Sequence, residues 1–302
     1  MAGLVIAIFG PTASGKTAVA EAVAGLVGGE VVSCDSMQAY RGLRILTCQP
    51  EQATRLVGIW PLDHEGSVGE YARLAHAAID DLLSAGRTPV VAGGTGLYLR
   101  AAIAELGLPA APLAGVRGRW EEIYEREGAE AAHRRLAELD SGAAAVIHVN
   151  DRKRVVRALE LAEAGSSLVP ADDRLWARET RHPTLIVGLD VPREELLRRI
   201  EQRTAAMFEA GVQDEVRGAL AGPVSITARK ALGLEEVAEL PPDEARAAIV
   251  VRTRRYAAYQ RKWMRRIPGL VMVNADRPAD EVADEIQQMA RAREFLPARP
   301  AC

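Results

Sequence analysis

A chain of 302 residues with 48% hydrophobic and 26% charged residues can bury a sizeable core, as one large domain with an embellishment or two modest ones. Its formal charge of −3 excludes a protein that coats nucleic acid by bulk charge, so any RNA contact must come from local basic patches. Cys34, Cys48 and Cys302 form neither a disulfide framework nor a C-x-x-C metal pair. With no basic leader and no apolar run of membrane length, the expected location is the cytoplasm, without membrane attachment.

Leu4 to Phe9 is a continuous apolar run before a Gly/Pro-rich turn, and Thr17 to Val27 has the alanine-rich composition of a helix. A second strand is expected at Glu30 to Cys34 and a third at Thr88 to Ala92, after a helix that Ser67 and Glu70 would open as a capping box. Such alternation implies a parallel sheet, whose ligands gather beyond the carboxyl ends of the strands. Residues 10 to 17, 35 to 38 and 93 to 98 all fall at such ends. From about Pro109 to His182 strands give way to charged helical stretches, Trp120 to Leu139 and Arg152 to Ala164. A strand resumes at Thr184 to Val191, Pro192 suits the first turn of the next helix, and a last strand is expected at Leu270 to Val273. Pro297 and Pro300 belong to an expected frayed tail.

Gly10-Pro11-Thr12-Ala13-Ser14-Gly15-Lys16-Thr17 fits G-x-x-x-x-G-K-[ST], with the strand before it and helix after it that a phosphate loop needs. Backbone amides and the helix N-terminus would hold phosphate oxygens, Lys16 would add a point charge, and Thr17 would bind magnesium. The loop alone does not distinguish ATP from an organic pyrophosphate. The expected class is α/β: a P-loop NTPase-like parallel sheet flanked by helices, with a helical insertion domain. Residues 1–108 and 183–302 would form the core with its C-terminal helices, and 109–182 the insertion. Asp35, at the end of the second strand, fits a general base, a helix cap or an outer magnesium ligand.

The segment Asp35-Ser36-Met37-Gln38-Ala39-Tyr40-Arg41-Gly42-Leu43, with the phosphate loop and Gly93-Gly94-Thr95-Gly96-Leu97-Tyr98, resembles the signature set of the bacterial tRNA dimethylallyltransferase (tRNA isopentenyltransferase) family. The likeness continues through Ile147-His148, Asn150-Asp151, Arg154, Arg157 and Ala158-Leu159-Glu160. It resumes at Ala231-Leu232-Gly233 and at Thr253-Arg254-Arg255-Tyr256-Ala257 with Gln260, Trp263 and Arg265.

That resemblance implies a prenyltransferase acting with magnesium on dimethylallyl pyrophosphate and the anticodon stem-loop of tRNA, expected as a monomer. Gly10 to Thr17 would hold the pyrophosphate, with Lys16 catalytic and the metal at Thr17. Asp35 would accept a proton from the N6 amine of the adenine immediately 3′ of the anticodon, with Thr95 positioning that base and Ser36, Met37 and Gln38 lining its pocket. The insertion would grip tRNA through Arg117 and the helical run Lys153, Arg154, Val155, Val156 and Arg157. From spacing alone that run also fits a solvated charged face.

Arg252, Arg254, Arg255, Arg261, Lys262, Arg265 and Arg266 make the most basic stretch of the chain. The stripe Tyr256, Tyr259, Trp263 and Ile267 beside it predicts core packing ahead of base stacking. The chain departs from the family at Arg44, Leu46 and Gln49, where an aspartate, a glycine and a lysine are usual, and at Ala258-Tyr259, where a Lys-Arg pair is usual. Competing functions are a small-molecule P-loop kinase, a transferase acting on a free adenine nucleotide, and a tRNA-binding homologue with a weakened donor site.

Overall fold

The computed structural model describes residues 3–108, 115–169 and 174–294. Five parallel strands, β1 (Val5–Phe9), β2 (Glu30–Ser33), β3 (Pro89–Gly93), β4 (Thr184–Asp190) and β5 (Val271–Asn274), form one sheet in the order β2-β3-β1-β4-β5. The register sets Phe9 opposite Gly93 and Ser33 opposite Ala92, so the first three strands end almost level. Their following loops therefore emerge side by side, at the point where the chain's progress across the sheet reverses around β1.

Both faces of β1 are buried, which is why it reads as an unbroken apolar run. Ile6 and Ile8 pack with α1 (Lys16–Val27) and α12 (Ala279–Glu294) through Val19, Val23, Val282 and Ile286. Side chains alternate along a strand, so Val5, Ala7 and Phe9 point to the other face. On that side α2 (Val68–Ser84) and α3 (Gly96–Ile103) pack together and against the sheet. Helices α8 (Arg193–Glu209), α9 (Val212–Leu220), α10 (Leu234–Glu239) and α11 (Pro242–Met264) complete this part. A separate apolar cluster joins them to the loop after β2 through Leu43, Leu46, Met207, Val216 and Ile249.

The chain divides into two compact units, one from the residues up to Glu105 and from Leu175 onward, the other Leu106–Arg174. Residues 175–182, grouped with the insertion by sequence pattern, lie in the first unit. The guanidinium of fully buried Arg100 donates to the carbonyls of Leu175 (2.9 Å) and Ala177 (2.8 Å), and Trp176 stacks on Trp263. The second unit is a bundle of α4 (Val116–Glu127), α5 (Ala129–Leu139), α6 (Ser141–Val146) and α7 (Arg152–Glu163) around Trp120, Leu136, Val155 and Leu159. The helical run expected at Trp120 to Leu139 is broken at Gly128, whose φ of 86° ends α4 and starts α5.

Other expectations are adjusted locally. Ser67 caps α2 by accepting from Glu70 N at 3.1 Å, but the Glu70 carboxylate pairs with His64 instead of closing the box. Pro192 stands at the N-cap of α8, one residue ahead of its first turn. The tail with Pro297 and Pro300, and Cys302, lie outside the described residues.

Candidate active site

The phosphate loop is shaped by two left-handed residues, Ala13 (φ 65°) and Gly15 (φ 84°), which turn its amides toward a common centre. Gly15 is the N-cap of α1, and no side chain caps that helix. The first amides of α1 thus have no carbonyl one turn back and present partial positive charge to the loop. Two more donors beside it are buried without a partner, the Ser14 hydroxyl and Arg203 Nε. Buried donors in this state cost about 1 to 3 kcal/mol each, a cost that an oxygen-rich ligand in the loop would remove.

Lys16 donates to its own loop at Pro11 O, 2.8 Å away. Only part of the residue's surface is covered, but its ammonium is enclosed, and burial pulls its pKa down to about 8 against the opposing pull of the Asp35 carboxylate. Keeping it charged therefore costs on the order of 3 kcal/mol, which a bound polyphosphate would offset. Arg203, from α8, also lowers the Lys16 pKa and donates to Thr12 Oγ1 at 2.6 Å.

Asp35 emerges from β2 on the far side of the same space. Its Oδ1 accepts Met37 N at 3.0 Å, fixing the carboxylate in a tight turn. Thr95 is the N-cap of α3, but its hydroxyl does not cap the helix; it lies 3.3 Å from Ser36 Oγ and 3.4 Å from Ser36 N. Ser36 thereby ties the Asp35 and Thr95 loops together. Gln38 is spent on its own loop: its Oε1 accepts from Ser33 Oγ and its Nε2 donates to the carbonyls of Thr47 and Cys48.

A cavity of about 630 Å³ brings these parts together, with Lys16, Thr17, Asp35, Gln38, Arg203 and Tyr256 among its walls. A second, of about 470 Å³, adjoins it and adds an apolar side made by Met37, Leu46, Met207, Leu232 and Ile249. Thr12, Asp35, Thr47, Cys48, Arg203 and Tyr256 line both. Thr95 lines neither but is hydrogen-bonded to Ser36 and Tyr256, which do. Cys34, directly before Asp35, is buried, and burial followed by the Asp35 charge pushes its thiol far above its ordinary pKa, which suits an inert strand residue.

Comparison with known proteins decides the family. The family model described as IPP transferase matches residues 38–267, and one described as isopentenyl transferase matches residues 3–58. A tRNA dimethylallyltransferase of Streptomyces coelicolor is 42% identical over 277 residues, covering 87% of this chain and 88% of that protein. One from an Anaeromyxobacter species is 42% identical over 297 residues, covering 93% and 98%. The crystal structure of the full-length tRNA isopentenylpyrophosphate transferase of Bacillus halodurans superposes with a TM-score of 0.70 at 30% identity, covering 96% of each chain. The chain belongs to the IPP transferase family. Its curated relatives are prenyltransferase enzymes, and its fold is the P-loop NTPase-like sheet with flanking helices.

For this IPP transferase, the departures from the family pattern leave residues 10 to 17 of the phosphate loop intact. Gln49 turns away from both cavities and donates to the carbonyls of Gln38 (3.2 Å) and Tyr40 (2.7 Å). Glu215, from α9, accepts the amides of Ile45 and Leu46 at 2.7 and 2.8 Å. This segment is thus braced by its own hydrogen bonds without the usual lysine.

Within the second unit, Asp151 caps α7 by accepting Arg154 N, and Arg154 stands exposed beside exposed Lys153. Arg157 and Arg117 flank the buried carboxylate of Glu160, at 2.9 and 3.6 Å. Val155 and Val156 are corrected as RNA-contacting side chains: both are buried in the bundle core, so they hold α7 in place.

The stripe beside the basic stretch is corrected in part: Ile267 is buried and Trp263 packs against Trp176, as core packing requires, but Tyr259 and Tyr256 do not follow. The buried face of α11 is Ile249, Thr253, Ala257, Gln260 and Met264, while Tyr259 is 55% exposed and Tyr256 opens onto both cavities. Aromatic spacing misleads here because the inward positions are partly polar and serve the loops. Of the basic residues nearby, Arg252, Arg254 and Arg261 pair with Glu236, Glu201 and Asp190, and Arg266 stacks over Trp176. Arg203 is the candidate that sequence reasoning missed, since nothing in an arginine-rich helix marks which of its arginines reaches the phosphate loop.

Proposed function

We infer that this IPP transferase moves a dimethylallyl group from dimethylallyl pyrophosphate to the N6 amine of the adenine immediately 3′ of the anticodon in tRNA. The observation that carries this reading is the meeting of the Asp35 carboxylate and the phosphate loop on one cavity. The transferred dimethylallyl group and the tRNA acceptor are those in the names of the relatives at 42% identity.

In this reading the loop from Gly10 to Thr17, through the amides at the uncapped start of α1, orients the pyrophosphate together with Lys16 and Arg203. As the bond from the allylic carbon to pyrophosphate oxygen breaks, these donors take up the charge that builds on the leaving group. The N6 nitrogen forms the new C–N bond and loses a proton to Asp35. Ser36 and Met37 hold the acceptor base beside that carboxylate, and Thr95 positions it through its hydrogen bond with Ser36. A base stacked in the anticodon loop has to leave its stack to reach this depth.

Thr17, an exposed residue in the first turn of α1, would hold magnesium through its hydroxyl. Magnesium supplies charge neutralisation on the leaving pyrophosphate. Lys153, Arg154, Arg117 and Arg157 of the insertion supply the phosphate contacts to tRNA. The enzyme acts as a monomer in the cytoplasm; among the described residues no helix is long and apolar enough to cross a membrane.

Nucleoside mass spectrometry tests this directly, with the purified protein, magnesium and dimethylallyl pyrophosphate offered unmodified tRNA or AMP. Dimethylallyl-adenosine from tRNA alone is expected. Product only from AMP, or metabolite-stimulated ATP turnover with no prenyl transfer, would overturn it.

A further inference from the structure

Gln260 is 2% exposed on the inward face of α11, where an amide is an unusual filling for a helix core. Its Oε1 accepts Thr12 N at 2.7 Å, and its Nε2 donates to Gly94 O at 2.8 Å. One partner opens the phosphate loop and the other immediately precedes Thr95. One turn earlier on the same helix, the Tyr256 hydroxyl hydrogen-bonds with Thr95 and Gln260, and burial followed by the Asp35 charge pushes its pKa up.

The two bonds can be satisfied together only by a primary amide of this length. A carboxylate cannot donate to Gly94 O, and an alkyl chain would leave both a buried N–H and a buried C=O unpaired. The packing is equally specific: a Cβ added at Gly94 would lie 2.2 Å from Gln260 Nε2, with its next neighbours at 3.4 Å or more. Gly94 is needed there for space and not for its backbone angle. With Thr12 N held by Gln260 and Ser14 N by Pro11 O at 3.2 Å, the amides at the uncapped start of α1 are the ones left for a ligand.

We propose that Gln260 is a positioning residue that fixes the spacing between the pyrophosphate-holding loop and the Thr95 loop, and so the distance between donor carbon and acceptor amine. This rests on the transfer reaction proposed above. Coupling follows from the same geometry: tightening of the phosphate loop around pyrophosphate is passed through one side-chain amide to Gly94 and Thr95.

Four proteins test it, Gln260→Ala, Gln260→Glu, Gly94→Ala and the Gly94→Ala/Gln260→Ala double variant. Misplacement of reacting groups by a fraction of an ångström predicts a kcat loss of at least about tenfold in both Gln260 variants, with tRNA affinity changed less than about twofold. Gly94→Ala should be severely impaired alone and add little to Gln260→Ala, because the clash vanishes with the side chain. Hydrogen–deuterium exchange with magnesium pyrophosphate gives a readout independent of turnover. In the wild type, exchange should slow over residues 10–17 and also 93–98; in Gln260→Ala the second response should disappear. Additive losses, a near-normal kcat, or a 93–98 response that survives in Gln260→Ala would each overturn the proposal. A wild-type protein that transfers nothing would overturn the reaction, and the exchange measurement would still decide the role of Gln260.

Discussion

The phosphate loop and the helical unit Leu106–Arg174 both offer cationic groups to phosphate, but they hold those groups in different states. Around the loop the donors are backbone amides at an uncapped helix, an orphaned Ser14 hydroxyl, an orphaned Arg203 Nε and a lysine pushed down to about 8. In the helical unit most cations already have carboxylates: Arg119 with Glu163, Arg135 with Glu127, Arg152 with Glu125, Arg157 with Glu160. The first site keeps its donors unsatisfied inside a rigid frame and gains much from one ligand. The second would exchange existing partners for RNA phosphates, gaining little at each phosphate and depending on salt.

Substitutions should separate the two regions by size of effect. Lys16→Ala and Asp35→Ala are expected to cost at least about a thousandfold in kcat/KM, by analogy with other preorganised charge-stabilising and proton-accepting groups. Titration calorimetry with the donor should tell them apart, since Lys16→Ala weakens binding and Asp35→Ala does not. Arg203→Ala comes next, with about a ten- to hundredfold loss that appears chiefly as weaker donor binding. Comparable effects from Arg154→Ala would erase the contrast between the regions.

The Lys16 shift also fixes a pH dependence. The donor binds the charged ammonium, so affinity should fall as pH rises above about 8, by up to about tenfold per pH unit from this group. The fold itself responds in the opposite sense. A lysine depressed from 10.5 to about 8 makes the unfolded chain bind more protons in that window, so stability should rise there as pH rises. Calorimetric titrations and melting curves from pH 7 to 10 would check both, and Lys16→Arg should remove both trends.

Weaker effects belong to the helical unit. Reversing the charge of Lys153 and Arg154 should weaken tRNA binding several-fold at moderate salt and flatten the salt dependence by about one unit for each phosphate that is no longer neutralised. Val155→Ala should instead destabilise the bundle by about 2 kcal/mol, read from its unfolding, because its side chain is fully buried. The smallest change is expected at Gln49→Lys, within about twofold in kcat/KM, since this side chain braces loop carbonyls outside the cavities.

The same contrast explains how much was legible in advance. A phosphate loop demands glycine, lysine and threonine at fixed spacing after a strand, so residues 10 to 17 declare themselves locally. Asp35 and Thr95 were placed by the parallel alternation that puts three loops at one end of the sheet. Arg203 and the clamp at Gln260 join the site from more than 180 residues downstream of Thr12, by helix packing that no local pattern encodes. On α7 the family likeness singled out a run of neighbours, but helical geometry turns Lys153 and Arg154 outward and Val155 and Val156 inward. On α11 a regular aromatic spacing drew attention away from the buried polar positions Thr253 and Gln260.

Most direct is a single-turnover comparison of wild type and Asp35→Ala with saturating tRNA, magnesium and dimethylallyl pyrophosphate, scored by mass spectrometry of dimethylallyl-adenosine in the tRNA. Rapid product in the wild type and at least about a thousandfold slower product in the variant, with donor binding retained, is the predicted result. Near-normal turnover in the variant would contradict the pairing of carboxylate and phosphate loop on which the proposed function rests.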